Sequence, residues 1–398
     1  MAKIISVGGQ RGPFKNPGVL GLILSVCVCT LAWSFAFPVA SSRADPPPSS
    51  PRLHFIQLVG HTADLTDADY SPDGKKVVTA SSDKTARIWN AANGVLLQTL
   101  SGHTAGVRTA RFSPDGGHVL TSAQDATAKL WDVATGKLLL TFKGHTDPLE
   151  DAEFSRDGKF VVTASRDNTA KVWDASSGAL VATLTGHTGA VMHAIFSPDG
   201  MRVVTASADH TARVWDTNSG TLLYTLTGHS GIVTGVTYSP DGKLIATSSS
   251  DKTARIWNAR TGALIEALLG HTRAVEFAVF SHDGTKILTG STDKSGVLWD
   301  AKTGNKLLAL LGHRRAIMAA SFSPDDKRIA TASYDSTARV WDAATGASQL
   351  VLAGHGGEVT RAKFSLDGQH VLTASFDTTA RIWDVGGAAS QSAAAPSK

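Results

Sequence analysis

Cysteine is almost absent from this sequence. Its 398 residues include two, Cys27 and Cys29, and both lie in one apolar stretch near the N-terminus. The rest of the chain can therefore form neither a disulfide nor a thiolate metal site. Aromatic residues are also scarce, at 7%, whereas glycines number 38. Small residues and frequent turns favour short strands over long helices.

The body of the chain has no excess of either charge, although the formal net charge is +4. Five of the 38 basic residues and one of the 34 acidic residues lie in the first 52 positions, so 33 of each remain. Surfaces that bind nucleic acid need clustered, uncompensated Lys and Arg. The sequence shows no such cluster, so we do not expect a nucleic-acid partner.

The N-terminal region predicts a membrane-directed helix. Residues 1–17 carry Lys3, Arg11 and Lys15 and no acid, and Gly18–Phe37 then runs for twenty residues without a charge. A helix of that length spans about 30 Å, the thickness of a bilayer's hydrocarbon core. The positive-inside rule keeps residues 1–17 cytoplasmic and places the body outside, in the periplasm or the extracellular space.

Two interpretations of residues 18–37 remain open. An uncleaved signal-anchor fits the twenty-residue length, whereas a cleaved signal peptide, and hence secretion, fits the small residues near Ala40 and Ala44. A Pro/Ser-rich linker is predicted at 38–52, and 386–398 reads as a disordered tail. We expect the membrane to be contacted only through the N-terminal helix.

From Leu53 onward the chain repeats itself every 42 residues. A Gly-His pair and a tryptophan recur eight times without an insertion. In each unit a strand with period-two alternation is followed by a turn such as Ser113-Pro114-Asp115-Gly116, and three further strands follow. A four-stranded unit cannot bury both its faces alone, but copies stacked around an axis can. Residues 53–385 are therefore predicted to form an all-β, eight-bladed β-propeller of four-stranded antiparallel blades.

The two ends of the repeat array differ. Leu53–Leu58 reads as a lone strand that precedes the first Gly-His pair, and nothing strand-like follows Asp384.

The combination of Gly-His, Ser-Pro-Asp-Gly, a tight-turn Asp and Trp-Asp resembles the WD-repeat (β-transducin repeat) family. That resemblance covers residues 53–385 and departs from the usual family pattern only in having eight blades where seven are most common. It implies that the ring closes by strand exchange, so we expect Leu53–Leu58 to complete the last blade and remove its open edge. It also implies a buried tetrad of His, Ser, Asp and Trp in each blade. The second repeat has Ala123 in place of the serine. The residues are His61, Ser81, Asp83, Trp89; His103, Asp125, Trp131; His145, Ser165, Asp167, Trp173; His187, Ser207, Asp209, Trp215; His229, Ser249, Asp251, Trp257; His271, Ser291, Asp293, Trp299; His313, Ser333, Asp335, Trp341; and His355, Ser375, Asp377, Trp383.

These periodic His and Asp residues are interpreted as structural. A catalytic centre needs one special constellation rather than eight equal ones, and a triad serine must be accessible to substrate. The Ser-Pro-Asp-Gly turns lack the spread of oxygen ligands that calcium needs. We therefore predict no catalytic residue, no metal and no cofactor.

Function is expected where exposed positions differ between repeats. The resemblance places the positions three and five after each His, and one before each tight-turn Asp, on the top face. The mixed charges with Met, Tyr and Phe at these positions suit a protein or peptide partner. We predict a monomeric protein-interaction scaffold. The alternatives are an extracytoplasmic propeller enzyme of the quinone-cofactor type and a ligand sensor that uses the central channel. The candidate partner-binding residues are Arg108, Gln124, Glu150, Arg166, Met192, Glu276, Met318, Tyr334 and Phe376.

Overall fold

The computed structural model describes residues 53–386, which form thirty-two strands in eight four-stranded antiparallel sheets. Each sheet is one blade. Within a blade the strands are called first to fourth from the axis outward, whereas the labels β1 to β32 follow the order of the chain. The first strands are β2 Leu65–Tyr70, β6 Val107–Phe112, β10 Leu149–Phe154, β14 Val191–Phe196, β18 Val233–Tyr238, β22 Val275–Phe280, β26 Ile317–Phe322 and β30 Val359–Phe364. The second strands are β3 Lys76–Ser81, β7 His118–Ala123, β11 Phe160–Ser165, β15 Arg202–Ser207, β19 Leu244–Ser249, β23 Lys286–Ser291, β27 Arg328–Ser333 and β31 His370–Ser375.

The two outer strands complete each blade. The third strands are β4 Thr85–Asn90, β8 Thr127–Asp132, β12 Ala170–Asp174, β16 Ala212–Asp216, β20 Ala254–Asn258, β24 Gly296–Asp300, β28 Thr337–Asp342 and β32 Ala380–Asp384. The fourth strands are β5 Leu96–Ser101, β9 Leu138–Lys143, β13 Leu180–Leu184, β17 Leu222–Leu226, β21 Leu264–Leu268, β25 Lys306–Leu310, β29 Ser348–Ala353 and, in the eighth blade, β1 Phe55–Leu58. The predicted eight-bladed fold and its N-terminal closing strand are confirmed.

The core consists of apolar layers between neighbouring blades. One layer joins Val78 and Ala80 of the first blade to Val107 and Trp131 of the second. In each blade the second strand is buried over its last five residues. Small and β-branched residues allow this in a sheet that is covered on both faces. The stacked layers hold the first strands around a central channel.

Strand β1 closes the ring between the eighth and first blades. It pairs antiparallel with β32, from Phe55 opposite Trp383 to Leu58 opposite Ala380. The Phe55 and Trp383 ring centroids are 4.7 Å apart. Leu58 is 1% exposed and packs in a layer that also contains Leu65 of the first blade. The closing strand is therefore part of the core.

The predicted helix at 18–37, the linker at 38–52 and nearly all of the tail at 386–398 lie outside the described residues. Within residues 53–386, no helix is long and apolar enough to cross a bilayer.

Candidate functional site

A β-bulge occurs at the same point of every first strand. In the first blade Leu65 pairs with Ser81 and Asp67 with Ala80, so Thr66 has no partner on β3. The same register shift recurs in the other seven blades. Bulges re-aim a side chain relative to a regular strand. The bulged residues, named here the mouth ring, are Thr66, Arg108, Glu150, Met192, Thr234, Glu276, Met318 and Thr360.

All eight mouth-ring residues line a cavity of about 610 Å³ at the top of the central channel. The top face is the end of the propeller that carries the Gly-His loops and the tight-turn aspartates. Three residues from the turns between second and third strands, Gln124, Tyr334 and Phe376, line the same cavity. The structure thus brings eight of the nine candidate partner-binding residues together. The ninth, Arg166, does not line the cavity.

Arg166 instead contacts Glu150, and only Arg166 is exposed as the repeat pattern predicts. The Glu150 side chain is 3% exposed and that of Arg166 is 55% exposed. Glu150 accepts hydrogen bonds from Arg108, at 3.0 Å from Nε and 2.7 Å from Nη2, and from Nε of Arg166. Glu150 is thus a buried residue that positions two arginines, because a buried carboxylate is costly unless it is paired.

Aromatic and sulfur-containing side chains lie on the opposite side of the mouth. The Tyr334 and Phe376 rings are 6.1 Å apart, and Met318 and Phe277 line the same part of the cavity. All four are only partly buried. Adaptable methionines next to aromatic rings are typical of protein-binding surfaces.

Below the mouth, charged residues lie on one side of the channel. Asp67 of the first blade accepts hydrogen bonds from Arg111 of the second blade and, at 2.7 Å, from Nε of Arg361 of the eighth. Burial alone raises the pKa of Asp67, but these two guanidinium groups hold it below its ordinary value. Lys363 pairs with Asp69 across the same junction. These ion pairs tie the first strands of neighbouring blades together.

The third blade carries two more acids facing the channel. The carboxylate of Asp151 lies 3.1 Å from Nε2 of His193. Burial, and then the charge of Asp151, raise the pKa of Glu153 to about 7. Ile195, Phe277 and Val279 line the cavity on other blades, so the channel is charged on one side and apolar on the other.

One directional hydrogen-bond chain recurs in each blade and holds the Gly-His loop. In the first blade Trp89 Nε1 donates to Thr79 Oγ1 at 2.8 Å, Thr79 lies 2.8 Å from His61 Nε2, and His61 Nδ1 lies 2.7 Å from Asp83 Oδ2. Indole N–H only donates and an ionised carboxylate only accepts. The neutral imidazole therefore carries its proton on Nδ1 and accepts from the Thr79 hydroxyl. Every member of the chain is satisfied.

The hydroxyl that links His to Trp is that of a threonine, which corrects the serine assignment. Ser81 Oγ donates to the Ala63 carbonyl at 2.9 Å and accepts from the Asp83 amide at 3.0 Å. Because Ser81 ends its strand, its hydroxyl bridges the Gly-His loop and the tight turn instead of reaching the tryptophan. The same two bonds occur at Ser165, Ser207, Ser249, Ser291, Ser333 and Ser375. The linking residues are Thr79, Thr121, Thr163, Thr205, Thr247, Thr289, Thr331 and Thr373.

The pKa shifts of His61 and Asp83 agree with a structural role for this hydrogen-bond chain. Burial lowers the pKa of His61 despite its bond to Asp83. Burial alone raises the pKa of Asp83, but hydrogen bonds from Thr85 and His61 hold it below its ordinary value. The pair is thus a neutral imidazole and a carboxylate at neutral pH. In residues 53–386 no group of three or more His, Cys, Asp or Glu side chains has the arrangement of a metal site.

Eight sheets around an axis, each with this hydrogen-bond chain, define a β-propeller whose variable residues meet at one channel mouth. The sequence matches the family "WD domain, G-beta repeat" in eight segments, so the chain belongs to the WD-repeat family. WD-repeat proteins typically act as protein-interaction scaffolds and are generally non-catalytic. The matched residues are 53–90, 94–132, 136–174, 178–216, 220–258, 262–300, 304–342 and 346–384.

The curated relatives match over one repeat length. An uncharacterized WD repeat-containing protein sll1491 of Synechocystis is 49% identical over 45 residues, 11% of this chain and 13% of that protein. Protein HIRA of Oryza sativa subsp. japonica is 45% identical over 40 residues, 10% of this chain and 4% of that protein. The chain thus spans far less than two thirds of the length of these relatives. The computationally designed Ika8 protein is similar in structure, with a TM-score of 0.76 and 29% identity over 84% of this chain and 100% of Ika8.

Proposed function

We propose that this chain is a non-catalytic, monomeric scaffold whose protein partner binds on the top face, at the mouth of the central channel. The observation that carries the proposal is the mouth ring. Its eight residues occupy one bulge position in eight nearly identical blades, yet they include Thr, Arg, Glu and Met. A purely structural position in a repeat has no need of such variety.

The composition of the mouth supports a protein partner. Met318, Tyr334 and Phe376 supply apolar contact area, and aromatic anchors usually carry most of the energy of an interface. Arg108, fixed by Glu150 at 2.7 Å, supplies a charged group whose position is set in advance. Positioned polar groups beside an apolar patch give an interface its specificity.

Replacing Met318, Tyr334 and Phe376 together with Ala is expected to weaken partner binding about ten-fold or more, since few anchors dominate an interface. The fold should persist, because the three side chains are only partly buried. The partner is identified by crosslinking and affinity capture with the unaltered chain. Its Kd for the triple variant is then measured by surface plasmon resonance.

A matched control removes apolar side chains from the opposite face. Met201 and Leu366 lie in the connections between first and second strands and are 66% and 60% exposed. Met201→Ala/Leu366→Ala should bind like the unaltered chain. Loss of binding in this control, with normal binding by the triple variant, would show that the bottom face is the working surface.

We also propose that the propeller lies outside the cytoplasm, held there by residues 18–37 or secreted after their cleavage. Support comes from the uncharged run Gly18–Phe37 and from the basic residues Lys3, Arg11 and Lys15 that precede it. Alkaline phosphatase fused after Lys398 should be active, and a fluorescent protein that matures only in the cytoplasm should be dark. The opposite pattern would refute this orientation, and a mature N-terminus near Asp45 would indicate secretion.

A further inference from the structure

The mouth ring contains two glutamates at equivalent positions, and only one has cationic partners. Glu150 is bonded to the guanidinium groups of Arg108 and Arg166. Arg108 is the mouth-ring residue of the preceding blade, and Arg166 precedes the tight-turn Asp of the same blade. These two positions give a mouth-ring carboxylate its counter-charges in this fold.

The equivalent positions around Glu276 hold threonines. Thr234 lies on the preceding blade and Thr292 precedes the tight-turn Asp. Their hydroxyls donate to the Val275 carbonyl at 2.7 Å and to the Ala274 carbonyl at 3.4 Å. Within residues 53–386, no Lys, Arg or His nitrogen lies within 4.0 Å of the Glu276 carboxylate. Burial raises the pKa of Glu276, and no nearby positive charge offsets it.

The surroundings of Glu276 suit a cation with an apolar stem. Tyr334, on the following blade, lines the same cavity as Glu276, and burial, then the charges of Glu358 and Glu276, raise the pKa of its hydroxyl. Phe277, Met318 and Phe376 line this cavity as well. Arg315 lies over the Tyr334 ring at 5.9 Å, but it is already paired with Glu358 at 2.6 Å. Aromatic faces attract cations, and apolar side chains pack against the methylene stems of Lys and Arg.

We infer that Glu276, together with Tyr334 and Phe376, forms a pocket for a basic side chain, arginine or lysine, of the protein partner. The incoming cation supplies the counter-charge that Arg108 and Arg166 supply to Glu150. This inference rests on the proposed function and adds the chemistry of the partner's contact residue. Glu276 is partly buried, and a carboxylate removed from water is costly to leave unpaired, so the pocket favours a cation over a neutral side chain of equal size.

The test measures fluorescence anisotropy of labelled pentapeptides with the full chain. One peptide carries a central arginine, one a lysine and one a citrulline, which is neutral and isosteric with arginine. We expect saturable binding of a cationic peptide and at least about ten-fold weaker binding of the citrulline peptide, since charged hydrogen bonds are worth roughly twice neutral ones. Glu276→Gln should reduce the preference for the cation by a similar factor.

Glu266→Gln is the control, because Glu266 is exposed on the outer strand β21; it should bind every peptide like the unaltered chain. Equal binding of arginine and citrulline peptides, no binding of either cationic peptide, or an unchanged cation preference in Glu276→Gln would overturn the pocket. If the Met318/Tyr334/Phe376 variant loses the natural partner while Glu276→Gln keeps its preference, the pocket fails and the proposed function stands. If that triple variant binds the partner normally, the proposed function itself fails.

Discussion

Deletion of residues 53–58 should lower the free energy of unfolding of the propeller by about 5 kcal/mol. The deletion leaves the edge of β32 unpaired and exposes the face of Trp383 that Phe55 covers. It also removes Leu58 from the layer between the eighth and first blades; burying one leucine contributes about 1.5–3 kcal/mol. Chemical denaturation followed by tryptophan fluorescence measures the change, and hydrogen exchange should show loss of protection in residues 380–384.

Deletion of residues 45–50, in the predicted linker, is the matched control and should leave the denaturation midpoint unchanged. If the larger deletion prevents folding, Leu58→Ala gives a milder test, with an expected loss of about 2–4 kcal/mol for a buried leucine. A propeller that lacks residues 53–58 but keeps its midpoint and its protection in β32 would show that the closing strand is dispensable.

The fold was predictable because one repeat contains all the signals and occurs eight times. Turn residues, alternating strands and the constant 42-residue period each point to the same four-stranded unit. The closing strand was predictable from the family resemblance, which implies strand exchange, and from residues 53–58, which precede the first complete unit as a lone strand. Pairing of this strand with β32 removes the open edge of the last blade.

The position of the mouth ring could not be obtained in the same way. A bulge inserts one unpaired residue without any characteristic composition, and here that residue is Thr, Arg, Glu or Met. The sequence therefore marks these positions as variable but does not show that all eight meet in one cavity. Burial of Glu150 depends on Arg108 from another blade, a contact between residues 42 positions apart.

The linking threonine, by contrast, had a signal in the sequence. Threonine occurs at that position in all eight repeats, whereas the serine two residues later is missing from the second, where Ala123 stands. Both side chains lie on the same face of the strand, because residues two apart share a face. Only the distances in the structure show which hydroxyl links His to Trp: Thr79 Oγ1 is 2.8 Å from both His61 Nε2 and Trp89 Nε1.

Replacing Thr247 with Val should destabilise the propeller by roughly 3 kcal/mol, because each unsatisfied buried polar group costs about 1–3 kcal/mol. Thr247 Oγ1 lies 2.8 Å from His229 Nε2 and accepts from Trp257 Nε1 at 2.9 Å. Valine has nearly the same shape, so it leaves both nitrogens buried without a partner and adds little strain. Thermal and urea denaturation measure the loss.

Two further substitutions separate the hydroxyl from the volume of the side chain. Thr247→Ser keeps the shared oxygen and should cost about 1 kcal/mol for the lost methyl group. Ser249→Ala removes bonds to the Gly231 carbonyl and the Asp251 amide and reproduces the natural state of the second repeat, which folds with Ala123; it should also cost about 1 kcal/mol. If Ser249→Ala proves as damaging as Thr247→Val, the serine belongs to the essential network after all. An unaltered stability of Thr247→Val would mean that His229 and Trp257 need no common acceptor.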